Sequence, residues 1–170
     1  MSAIAASGLA ANATGAFAQA APADGNVNFT GAVGSVCFFS NMANGSLIDS
    51  GGFLESADPF AAVNPPGSAV GTIDLECTGD VEISVGVPQD NGSSTDLTST
   101  SPSYGAVVAD SSRNFVAAAD VFDGTPNSSS SGILPGPFND TLSVGMFVDA
   151  GGAVPEGIYN YNVVVTATPQ

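Results

Sequence analysis

Gly157-Ile158-Tyr159-Asn160-Tyr161-Asn162-Val163-Val164-Val165-Thr166-Ala167 alternates large apolar side chains with polar or small ones. Tyr159, Tyr161, Val163, Val165 and Ala167 fall on one face, and Asn160, Asn162 and Thr166 on the other. A period of two marks a strand with one buried face. The same period recurs upstream. Ile73, Leu75 and Cys77 oppose Asp74 and Glu76. Val81, Ile83, Val85 and Val87 form the clearest alternating run of the middle region, and Leu142, Val144, Met146 and Val148 form another. Val27-Asn28-Phe29-Thr30-Gly31 starts a further strand leading toward Cys37. Residues 105–110 and 115–122 complete the set.

Turn chemistry separates these runs. Asn44-Gly45, Gly51-Gly52 and Pro65-Pro66-Gly67 break up residues 41–72, which read as loops with one short strand. Thr78-Gly79-Asp80 and Ala150-Gly151-Gly152 read as turns. Residues 88–103 and 123–137 are polar, Gly- and Pro-rich, and read as exposed loops. Nothing repeats and no helical period is sustained. Seven or so short strands between turn clusters predict an all-β chain folded as a β-sandwich.

The chain has 170 residues, with 16 acids against one basic residue, Arg113, and a formal net charge of −15. Phosphate neutralisation needs cations, so nucleic acid is excluded as a partner. An anionic membrane surface is disfavoured for the same reason, and no segment reads as a membrane span. The charge serves solubility. His and Lys are absent, which removes Ser/His/Asp, Cys/His and Lys chemistry and leaves carboxylates. Leu47-Ile48-Asp49-Ser50-Gly51 has the hydrophobic-Asp-Ser-Gly form of an aspartic-protease half-site. That mechanism needs two carboxylates sharing a proton, and Asp49 reads as a turn residue. Asp90-Asn91-Gly92-Ser93-Ser94-Thr95-Asp96 lacks the spaced ligands of a calcium loop. No enzyme, metal or cofactor is expected. Asn-x-Ser/Thr sequons stand at Asn12, Asn28, Asn44, Asn91, Asn127 and Asn139, and matter only in a glycosylating host.

Cys37 and Cys77 lack the partners and spacing of a zinc site. In an oxidising compartment they are expected to form a disulfide; two buried free thiols are the alternative. Residues 1–20 are Ala-rich and uncharged, ending in Ala18-Gln19-Ala20. They read either as a signal peptide cleaved after Ala20 or as a retained strand in which Leu9, Ala11, Ala13, Gly15 and Phe17 share a face. Residues 1–25 are accordingly set apart from a domain spanning 26–170.

Four features together resemble the chaperone–usher pilin superfamily, with type 1 pilins and spore coat protein U-like domains as the similar members. They are Val27–Gly31 with a Cys shortly after, Cys77 following Cys37 at the family's spacing, Ile73–Cys77 as the strand ending in the second Cys, and Gly157 at the family's offset before an alternating C-terminal strand. Pro169 stands where the family often carries Tyr. The resemblance implies an immunoglobulin-like sandwich that lacks its last strand and is completed by a donor strand from a neighbouring subunit. It also implies a homopolymer of identical subunits forming an extracellular fibre, with a periplasmic chaperone and an outer-membrane usher as assembly partners. On this reading Gly157, Tyr159, Tyr161, Val163, Val165 and Ala167 form the groove strand, and Leu9, Ala11, Ala13, Gly15 and Phe17 supply the donor. A non-polymerising secreted surface or coat protein of the same fold is the alternative, as is an adhesin. The adhesin lacks Trp and has only Tyr104 as a loop aromatic of the Tyr type.

Overall fold

The computed structural model describes residues 34–170. Among them there is no helix, and the chain is a succession of antiparallel strands. The order begins with β1 (Cys37–Ala43), β2 (Ile48–Asp49), β3 (Phe53–Glu55), β4 (Gly71–Cys77) and β5 (Val81–Val85). It continues with β6 (Gln89–Asp90), β7 (Ser103–Ala109), β8 (Phe115–Phe122), β9 (Thr125–Ser129) and β10 (Ile133–Leu134). β11 (Phe138–Asp149), β12 (Tyr161–Asn162) and β13 (Val165–Pro169) finish it. The expected all-β sandwich is therefore present, with more and shorter strands than the alternation alone marks out.

One large sheet runs β1-β4-β11-β7-β8-β9, with β3 also paired to β11 and β2 to β3. The 12-residue strand β11 organises it. One edge of β11 pairs with β4 along Phe138–Val144 and with β3 along Phe147–Asp149. Its other edge pairs with β7 along Ser143–Val148. The second sheet has only three strands, β10-β5-β13. The β6–β12 pair prolongs the β5–β13 pairing. One more residue lies between Val85 and Gln89 than between Asn162 and Val165, so the register shifts by one around the buried Pro88.

The core lies between the sheets. Val81, Ile83 and Val85 of β5 face Leu75 and Cys77 of β4, Val108 of β7 and Leu142 of β11. Ala117 and Ala119 of β8 belong to the same cluster. Their small side chains let β5 pack closely over β8. Leu75, Val81, Ile83, Val108 and Leu142 are wholly buried, and each such aliphatic side chain stabilises the fold by about 1.5–3 kcal/mol. A second cluster gathers Leu54, Leu97 and Val148, with Tyr104, Tyr159 and Tyr161 packed against it.

The segment 56–70 leaves the sheet and crosses its outer face. Ser56 N–H donates to the Met146 carbonyl (3.0 Å), and Met146 N–H donates back to Ser56 Oγ (2.9 Å). Pro59 then lies on Gly145, where a Cβ would stand 2.7 Å from Pro59 Cδ. Only glycine allows that approach.

Three details differ from the sequence expectation. β9 and β10 lie inside residues 123–137, expected as loop. β9 is Thr-Pro-Asn-Ser-Ser and exposed along its whole length; an edge strand needs only backbone pairing, so its side chains carry no apolar signal. β6 lies in the other expected loop. Tyr104 sits in β7, not in a loop. The expected strand Val27–Gly31 and the donor residues Leu9, Ala11, Ala13, Gly15 and Phe17 fall outside the described residues, as does the cleavage point after Ala20.

Candidate functional site

Cys37 and Cys77 are directly opposite in the β1–β4 register and form a disulfide, with Cα atoms 4.1 Å apart. Such a bond fits an oxidising extracellular or periplasmic setting. Residues directly opposite in an antiparallel pair share a face. Phe39, opposite the buried Leu75, therefore points to the interior side. A bulge follows, with Asn41 at φ 47°. Ala43 resumes pairing with the outward Thr72, which returns Met42 to the interior side.

Among the described residues, cover over these interior-side positions thins out along the strand. Cys37 is half-buried, Phe39 is 37 % exposed and Met42 is 74 % exposed. Exposure thus rises along β1, away from the point where Ser35 Oγ donates to the Gln170 carbonyl (3.3 Å). Among the described residues, β1 is one edge strand of the large sheet and β13 one edge strand of the small one. The two strands approach each other. They form the two lips of a flank that is clasped at the Ser35–Gln170 end and uncovered toward Met42. On the second lip Val163, Val165 and Ala167 are half-buried while Val164, Thr166 and Thr168 are exposed. Ile73 and Val144, from β4 and β11, are also only half-buried. A three-stranded sheet cannot roof six strands abreast, and part of the shortfall lies here, the rest at β9.

Two of the expected groove residues have other partners. Tyr159 Oη donates to the Pro155 carbonyl (2.6 Å), and Leu97 N–H donates to Tyr161 Oη (3.2 Å). Burial pushes the Tyr161 phenol above its usual range. Both rings belong to the Leu54–Leu97–Val148 cluster. Gly157 is exposed and runs beside Ser94, whose N–H donates to the Ile158 carbonyl (2.7 Å). The structure thus brings Val163, Val165 and Ala167 to the open flank and Tyr159 and Tyr161 to a filled corner.

Phe39 escaped the sequence reading because its outward neighbour Phe38 is equally apolar, and Met42 because the Asn41 bulge breaks the alternation. Asp74, on the outer face, holds that bulge. Its carboxylate accepts from Asn41 Nδ2 (2.7 Å) and from Thr141 Oγ1 (2.6 Å). The Thr141 hydroxyl first, and then the Asn41 amide, hold its pKa below the ordinary carboxylate value.

The carboxylate motifs resolve as turns. Val148-Asp149-Ala150-Gly151-Gly152 is a second copy of Ile48-Asp49-Ser50-Gly51-Gly52, unrecognised in sequence because Ala150 replaces the hydroxyl residue. Both copies line one cleft of about 420 Å³ with Phe53. Asp49 Oδ1 accepts from Gly52 N–H (3.1 Å) and Asp149 Oδ1 from Gly151 N–H (2.8 Å), so each carboxylate is tied to its own turn. Asp90 likewise accepts from Ser93 and Gly92 N–H (3.1 and 3.2 Å), and the Ser93 side chain leads the lowering of its pKa. Among the described residues no cluster of three or more His, Cys, Asp or Glu is placed to hold a metal ion. Among them, too, no helix is long and apolar enough to cross a membrane.

No protein-family model, no curated protein and no solved structure matches the chain.

Proposed function

We propose that this protein is a structural subunit of an extracellular fibre, joined to identical subunits by donation of an N-terminal strand into the flank between β1 and β13. The exposed interior-side residues Phe39 and Met42, across the flank from half-buried Val163 and Val165, carry the proposal. An open sheet edge above exposed core side chains is an aggregation liability unless something covers it. Strand addition covers both at once, pairing the edge and burying alternate side chains.

The occupant we favour is residues 9–17 of a second copy. Leu9, Ala11, Ala13, Gly15 and Phe17 alternate like an edge strand. No Asp, Glu, Lys or Arg occurs before Asp24, so this segment escapes the repulsion that the acidic body imposes on the rest of the chain. A periplasmic chaperone and an outer-membrane usher would serve such assembly. The contribution is mechanical, and no bond is made or broken.

The test is Val165→Asp in the secreted protein. Wild-type protein should form fibres visible by electron microscopy, and a carboxylate on the groove lip should abolish them. Soluble, folded, monomeric wild-type protein would instead support the non-polymerising coat-protein reading.

A further inference from the structure

Each lip of the open flank presents three interior-side positions, fewer than the five-position face of the N-terminal segment. On the C-terminal strand Val163, Val165 and Ala167 border the opening. The next two interior positions toward the N-terminus are taken. Tyr161 and Tyr159 pack with Leu54, Leu97 and Val148 of the same chain. Their hydroxyls are engaged by Leu97 N–H and the Pro155 carbonyl.

Leu97 is fixed as the plug. It is 3 % exposed. Its carbonyl accepts from Ser101 N–H (2.8 Å) and Thr100 N–H (3.1 Å). The neighbouring Asp96 Oδ1 accepts from Thr98 N–H (2.9 Å) and Thr98 Oγ1 (2.6 Å). A donor side chain reaching beyond Val163 would have to expel a buried leucine from a hydrogen-bonded turn. The facing lip agrees in length, because β1 offers Cys37, Phe39 and Met42 on the interior side before its pairing with β4 ends at Ala43.

We infer that the donor inserts a short segment with three consecutive interior-facing positions, and that the loop carrying Leu97 sets this limit. The inference rests on the donor-strand reading above. It has a consequence that holds whatever the register or direction of insertion. Any three consecutive positions among Leu9, Ala11, Ala13, Gly15 and Phe17 include Ala13, and none includes both Leu9 and Phe17.

The experiment compares secreted full-length protein carrying Ala13→Asp, Leu9→Asp or Phe17→Asp, scored by sedimentable polymer and by electron microscopy. Intact mass confirms that each chain retains the segment. Loss of polymer with Ala13→Asp, and wild-type polymer with at least one of the two end variants, is the expected result. Loss of polymer with both end variants would overturn the three-position limit while leaving strand donation standing. Normal polymer from Ala13→Asp, or a wild-type mass showing the segment removed, would overturn this donor and with it the inference.

Discussion

Removing the disulfide is expected to loosen one lip of the flank before it unfolds the molecule. The bond closes a loop with a sequence separation of 40. In the chain-entropy treatment a loop of that length stabilises the folded state by about 4 kcal/mol. With a urea slope of about 2 kcal/mol/M for a domain of this size, Cys37→Ala/Cys77→Ala should lower the unfolding midpoint by roughly 2 M. The loss should be uneven. β1 is an outer strand whose Phe38, Phe39 and Met42 are all exposed. Little apolar burial therefore holds β1 apart from its pairing with β4. β11 is paired along both edges and carries the wholly buried Leu142 and Val148. Amide hydrogen exchange in the double variant should show β1 deprotected under conditions where β11 and β7 still exchange slowly. Wild-type protein in reductant should behave in the same way. A midpoint shift under about 0.5 M, or uniform loss of protection across both sheets, would refute this account of what anchors β1.

Four further outcomes follow from the same structure. The Asp74 pKa is lowered on folding, so its contribution is present above the unfolded value of about 3.9 and lost as pH falls through the folded value. Asp74→Asn should flatten the acid limb of the Tm–pH curve, and parallel curves would disprove the role. For Tyr161 the phenol is raised on folding, so stability should fall as pH climbs above about 10. Tyr161→Phe should lose about 1 kcal/mol at neutral pH together with that alkaline decline, read by denaturation at each pH. Ile83→Ala should cost about 2–5 kcal/mol, whereas Phe38→Ala, on an exposed side chain, should stay within about 0.5 kcal/mol. Equal effects would mean that the core is misplaced. Neither Asp49→Asn nor Asp149→Asn should remove a hydrolytic activity, and a turnover lost in either variant would contradict the turn assignment.

Much of the fold was legible because strands with one buried face print a period of two. Val81, Ile83 and Val85, and Leu142, Met146 and Val148, lie where their alternation put them. Legibility failed where another constraint replaced side-chain burial. β9 is polar because it is an edge. β1 is scrambled by one residue at Asn41. The division of the C-terminal strand into a filled corner and an open stretch depends on Leu97, a residue that packs from a distant loop and leaves no periodic trace. The twin Asp-x-Gly-Gly turns came together through the β3–β11 pairing, which no local pattern announces.

The placement of β11 also governs when this chain can fold. The strand that joins β4, β3 and β7 begins at Phe138, and the longer of the two partners of β5 is β13, with Pro169 opposite Val81. The large sheet cannot close before β11 is made, nor the small one before β13. Segments separated this far in sequence pair slowly and leave apolar strands unsatisfied in the interval. Closure of the sandwich therefore waits on β11 and β13. Until both are in place, Leu75, Val81 and Ile83 lack strands that border them in the closed sandwich.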